Sequence, residues 1–236
     1  TDNMSISGET IDYGPCAFMD SYDPKTVFSS IDQLGRYSYD NQPKITKWNL
    51  TRFAECLIPL ISKNEDDAIK LATNSLDNFE KIYENKWINM MRDKLGLFGE
   101  DNGDKNLITE LLTWMHKKKA DYTNTFVFLM NEEIMDIEIY HDADFKLWKI
   151  KWVKRLNMFG ATNDKSMKLM RSTNPMVIPR NHKIEESLML ADDGDLTLFN
   201  KVIEVLKNPY NVNKGDLEFM SSVPYSDKKY KTFCGT

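Results

Sequence analysis

Apolar residues recur every three or four positions over most of this 236-residue chain, the spacing of one helix face. Trp48, Phe53, Leu57, Leu60 and Ile61 predict an inward stripe on a helix from about Ile45 to Ile61, kinked or ended by Pro59. Cys56, beside Phe53 and Leu60, is expected in the core. Asn64 ahead of Glu65, Asp66 and Asp67 reads as an N-cap with acids matched to the helix dipole. From Ala68 to Leu95 the near-helical period predicts one long helix or two, and Gly96 stops it. Helices are expected at Asp104–Lys118, with Leu107, Ile108, Leu111, Leu112, Trp114 and Met115 inward, and at Asp121–Met130. Another should span Asp144–Leu156, with Phe145, Leu147, Trp148, Trp152 and Val153 towards a core and Lys146, Lys149, Lys151, Lys154 and Arg155 on its other faces. Two more are expected at Glu185–Ala191 and from Asp195 to about Leu206. Ile134–Tyr140 fits a short strand or a helix equally.

The first twenty residues break this period. Met4–Ile6 and Thr10–Ile11 are short β-prone runs flanking Ser7-Gly8-Glu9, a turn whose glycine supplies a positive φ, so a tight hairpin is expected. Its closure sets Asp2 and Asn3 beside Asp12. Two carboxylates and a carboxamide form a hard-oxygen set that suits Mg²⁺ or Mn²⁺. On spacing alone, Asp2 and Asn3 as turn residues and Asp12 as the cap of a following turn fit equally well. Residues 13–43 hold Gly14-Pro15, Pro24, Gly35 and Pro43 and read as irregular. The acid-rich loop from Gly99 to Gly103 lacks the remaining ligands of a calcium loop and reads as a surface turn.

Residue identity narrows the choice at the N-terminus. Asp12-Tyr13-Gly14 is similar to the Asp-Phe-Gly of protein kinases, which follows a hairpin and holds the metal on the nucleotide. Thr1 to Ile6 and Thr10 to Pro15 resemble the selenoprotein O (YdiU-like) family more closely. The likeness continues through Gly35 to Pro43, Trp48-Asn49-Leu50, Asn174 to His182 and Asn208-Pro209-Tyr210. It implies a kinase-like fold that transfers AMP, and in some members UMP, to protein hydroxyls. It also implies Asp2 as general base, Asn3 as metal ligand and Asp12 as metal ligand facing the nucleotide, with ATP as substrate and Mg²⁺ or Mn²⁺ as cofactor. In ordinary kinases the catalytic Asp and the metal-binding Asn are separated by four residues, whereas Asp2 and Asn3 are adjacent. Ordinary phosphotransfer and a non-catalytic interaction module remain the alternatives.

The fold expected is mainly α with a small N-terminal β-hairpin, resembling the C-lobe of a kinase-like fold. Residues 1–43 would carry the hairpin and an activation-loop-like segment, 44–210 a helical body and 211–236 a loosely structured tail. Thr1 opens inside a motif, and no Gly-rich loop or Lys–Glu pair precedes it. The resemblance therefore implies that the nucleotide-binding N-terminal lobe lies outside this chain, and that the chain alone binds ATP weakly or not at all and transfers nothing. Arg36 could steer an anion or pack on a neighbouring helix. Arg180 could approach a nucleotide or, better, bond carbonyls or an acid, and His182 stands beside it.

Composition mainly excludes. A net charge of −5 argues against a dominant nucleic-acid footprint, and no apolar run approaches the ~20 residues of a membrane span. Cys16, Cys56 and Cys234 show no zinc or Cys-x-x-Cys spacing, which favours a reduced, cytoplasmic setting, or a mitochondrial one in a eukaryote. A Cys16–Cys234 disulfide would tie the tail to the loop after Asp12. The partners expected are proteins bearing Ser, Thr or Tyr hydroxyls, the nucleotide and the missing lobe, with no nucleic acid and no membrane.

Overall fold

The computed structural model describes residues 4–10, 17–131, 138–211 and 214–220. Within them nine α-helices follow one another: α1 Gln42–Ile61, α2 Glu65–Asp77, α3 Phe79–Lys94, α4 Asp104–Lys118, α5 Tyr122–Met130, α6 Ala143–Leu156, α7 Asn163–Thr173, α8 Asn181–Asp192 and α9 Thr197–Leu206. The chain gathers into two compact units. Described residues 4–10 and 24–88 form the first, and 17–23 and 89–220 the second.

The N-terminal hairpin is not found among the described residues. Around Gly8, at φ +72°, a turn does form: Gly8 N–H donates to the Ser5 carbonyl at 3.2 Å. The described residues on its flanks make no strand pairing; the one bridge recorded is Ser21 with Asp121, in the other unit. Met4 and Ile6 are 49% and 86% exposed, so nothing apolar covers this first β-prone run, and an uncovered two-stranded ribbon is marginal in water.

In the first unit α1 packs on α2, and Asn64 caps α2 by accepting the Asp67 N–H at 3.2 Å. The α1 stripe is a correction. Ile45 and Asn49, one turn apart, are the buried positions, while Trp48, Phe53, Leu60 and Ile61 are exposed. At about 100° per residue Trp48 falls off the arc shared by Phe53, Leu60 and Ile61, and that arc is left exposed. Trp48 is instead covered by the Arg36 guanidinium, 4.6 Å from its ring centroid, which assigns Arg36 a packing role. Cys56 is exposed, its thiol donating to the Arg52 carbonyl at 3.4 Å. Pro59 lies inside α1, which ends two residues later. The long apolar period splits at Asn78 into α2 and α3.

The second unit is built round α5, in which every residue from Thr123 to Met130 is buried. Its second half, Phe126 to Met130, is apolar on every side and belongs in an interior. Asp121 caps the helix, accepting the Asn124 N–H at 2.8 Å. α4 buries each of its six expected core residues and packs on α6. Two indoles tie α6 inward: Trp148 Nε1–H donates to the Leu107 carbonyl at 2.8 Å and Trp152 Nε1–H to the Leu95 carbonyl at 2.9 Å. Leu147 and Val153, expected inside, are exposed. Arg155, expected on the outer face, is buried against Asp104. The Gly99–Gly103 turn is accordingly backed by an ion cluster, since Asp104 also accepts from Arg92 Nε at 2.7 Å.

Gly96, at φ +67°, ends the run from α3. A Cβ there would lie 2.8 Å from the Ser166 carbonyl oxygen and 2.9 Å from Met170 Cγ. Gly96→Ala is therefore expected to cost at least about 1–2 kcal/mol from backbone conformation alone, with the contact adding to it. A urea midpoint equal to that of the unsubstituted protein would contradict this account of the close approach.

Candidate functional site

Asp2, Asn3 and Asp12, to which the family resemblance implies catalysis and metal binding, lie outside the described residues, as do Cys16 and Cys234. Among the described residues no group of three or more His, Cys, Asp or Glu side chains is placed to hold a metal ion. The donor types of Asn3 and Asp12, a carboxamide and a carboxylate with no soft ligand, are of the kind that suits a hard divalent cation.

What the structure builds in detail is the anchorage of the segment that follows Asp12. Tyr22 N–H donates to the Ala120 carbonyl at 2.9 Å, and Tyr122 N–H to the Asp20 carbonyl at 2.8 Å. The Tyr22 and Tyr122 rings stack with centroids 5.8 Å apart. These contacts lay residues 20–22 across the start of α5. Beneath them runs Arg180, 1% exposed, at the N-cap position of α8.

Its guanidinium satisfies several acceptors at once. Nη1 donates to Asp20 Oδ1 at 2.5 Å and to Asp121 Oδ2 at 2.6 Å; Nη2 donates to Asp121 Oδ1 and Asn124 Oδ1, each at 3.1 Å. The planar fork of arginine meets Asp121 bidentately, a geometry a lysine cannot reproduce. Burial pushes the Asp20 carboxyl above its ordinary range despite the Arg180 bond. The same desolvation lowers His182, opposed by the nearby Asp20 charge, and His182 Nδ1 is buried without a hydrogen-bond partner among the described residues. Arg180 thus takes the acid-bonding role expected of it.

Two of the stretches that carry the family likeness, Asn174 to His182 and Asn208 to Tyr210, meet in this unit. Asn174 Nδ2–H donates to the Lys94 carbonyl at 2.8 Å and the Met170 carbonyl at 3.0 Å, joining α3 to the end of α7. The backbone N–H groups of Met176 and Val177 both reach the Pro209 carbonyl, at 2.7 and 3.3 Å. Asn174 to His182 and Asn208 to Tyr210 are therefore one structural joint that delivers Arg180 to Asp20 and Asp121. Asp20, Asp121 and Asn124 were not singled out as functional residues; the only sequence signal was Asp121 at a helix start.

The architecture is that of a mainly helical body whose interior clamps the segment leading away from a hard-oxygen motif. A family model described as Protein adenylyltransferase SelO matches residues 1–207, a span that includes Asp2, Asn3 and Asp12. The chain belongs to the SelO family. It is 78% identical over 236 residues to the Protein nucleotidyltransferase YdiU of Pelagibacter ubique (strain HTCC1062), covering all of this chain and 49% of that relative. It is 50% identical over 237 residues to the protein of the same name from Clostridium perfringens (strain 13 / Type A), covering 48% of it, and 49% identical to that of Alkaliphilus metalliredigens (strain QYMF). The chain spans about half the length of the curated relatives it matches.

Proposed function

We propose that this chain is the metal-binding, acceptor-facing half of a protein nucleotidyltransferase that moves AMP from ATP to Ser, Thr or Tyr hydroxyls of other proteins. The observation that carries the reading is the family match across residues 1–207, together with relatives that are named protein nucleotidyltransferases. In this reading Asn3 and Asp12 hold Mg²⁺ or Mn²⁺, which when bound neutralises charge on the phosphate oxygens. Asp2 accepts the proton of the acceptor hydroxyl as its oxygen bonds to the α-phosphorus and the bond to pyrophosphate breaks. Asp2 needs position more than basicity, because the hydroxyl proton becomes acidic only as the new bond forms.

The remaining half of the protein completes the nucleotide site in this reading, so the chain alone binds Mg·ATP weakly or not at all. The compartment proposed is the cytoplasm. No helix among the described residues is long and apolar enough to cross a membrane. The test is mass spectrometry of an acceptor protein incubated with the complete enzyme and ATP. Acceptor carrying an adenylyl group, with the rate reduced about a hundredfold or more in Asp12→Ala, is the expected result. A phosphoryl group in its place, or full activity in Asp12→Ala, would overturn the reading.

A further inference from the structure

Lys94 is the last residue of α3, where a cation matches the negative end of the helix dipole. Its side chain nevertheless turns onto the flank of α5: Nζ lies 4.3 Å from the Phe126 ring centroid and 5.4 Å from that of Tyr122. Among the described residues no carboxylate pairs with it. Asp121, next to Tyr122 in sequence, is held by Arg180; on its own helix Arg92 is bonded to Asp104, and Asp93 is exposed. A ring face holds an ammonium only weakly, about 0.5–1 kcal/mol at exposed sites. The residue is half-buried, and burial lowers its pKa to about 8. An exposed lysine is almost wholly protonated near neutral pH, whereas this amine keeps a substantial neutral fraction, and the neutral amine is the nucleophile.

We propose that Lys94 Nζ is a nucleophile for small acyl phosphates, which makes the end of α3 a site of lysine acylation. The nitrogen lone pair attacks the acyl carbon and a C–N bond forms. The bond from that carbon to the phosphate oxygen breaks, phosphate leaves with the electron pair, and the proton on nitrogen passes to solvent. A half-buried amine favours a donor whose acyl and leaving groups are both small. The product is a neutral amide on the same two rings, so the charge beside Tyr122, which stacks on Tyr22, is discharged. The site is separate from the transfer chemistry and does not depend on it.

The probe is acetyl phosphate, given to the complete protein over about pH 6.5 to 9.5, with early acetylation read by peptide mass spectrometry. Lys146 and Lys154, exposed on α6, are the internal references. At about pH 7.5 Lys94 is expected to acetylate about tenfold faster than either, its larger neutral fraction being partly offset by the lower nucleophilicity of a weaker base. Its rate should level off about one pH unit or more below theirs. Equal or slower acetylation at Lys94, or a pH profile coincident with those of Lys146 and Lys154, would overturn the proposal. Selective labelling by acetyl-coenzyme A and not by acetyl phosphate would overturn the assignment to small donors.

Discussion

Replacing Arg180 with methionine is expected to destabilise the second unit by about 3–5 kcal/mol, the cost of stranding buried charge whose partner is removed. The guanidinium is fully buried, and Asp121 and Asp20 are 8% and 21% exposed at their side chains, so neither carboxylate recovers full hydration when the cation is gone. Hydrogen exchange of the α5 amides in the complete protein reads the loss locally; protection unchanged from the unsubstituted protein would contradict it. Asp20→Asn separates charge from contact, because the amide oxygen still accepts from Arg180. The folded-state pKa of Asp20 is raised, so its ionisation costs stability as pH rises from the ordinary carboxylate value through the raised one, and the cost persists above. Asp20→Asn should therefore flatten stability across that window and be tolerated at neutral pH, whereas Asp20→Ala frees the segment that leads back to Asp12.

Asp104→Ala should be nearly as damaging, again about 3–5 kcal/mol. One carboxylate, 1% exposed, accepts from Arg155 Nε at 2.6 Å, Arg155 Nη2 at 3.1 Å and Arg92 Nε at 2.7 Å. Arg155 also holds the Phe98 and Gly99 carbonyls, at 3.0 and 3.1 Å, so the turn between α3 and α4 loses its backing with the acid. Burial alone would raise the Asp104 pKa, yet the Arg155 and Arg92 bonds outweigh it and hold the group below its ordinary range. The sign is opposite to that of Asp20: this contribution is fully present above the ordinary carboxylate value and is lost as pH falls through the depressed one. Acid unfolding monitored by Trp148 and Trp152 fluorescence should shift to higher pH in Asp104→Asn. An unshifted acid transition would show that the cluster contributes little.

Periodicity and caps were legible where the cause is local. α4 has the bounds its pattern predicts, and Asn64 and Asp121 cap the helices they precede, because each signal lies within a few residues of its effect. α7 is nearly silent by comparison: its polar sequence offers Met170 as the buried apolar residue, so no stripe announces it. The ion clusters were illegible for another reason. Arg180 and Asp20 are 160 positions apart, and Arg155 and Asp104 are 51 apart, so no spacing rule pairs them. Arg155 in particular carries the pattern of an outward cation, and only the acid opposite reverses it. The N-terminal ribbon shows the converse: β-prone residues and a correctly placed glycine make a turn, but strands need a surface to cover them.

Mn²⁺ binding tests the proposed metal site at Asn3 and Asp12 most directly. In the complete protein with bound ATP, the paramagnetic resonance signal of free Mn²⁺ should fall as the metal is sequestered. About tenfold or greater weakening of that uptake is expected in Asn3→Ala and in Asp12→Ala, with little change in Asp2→Ala, whose proposed role is to take a proton. Uptake unaltered in both Asn3→Ala and Asp12→Ala would contradict it.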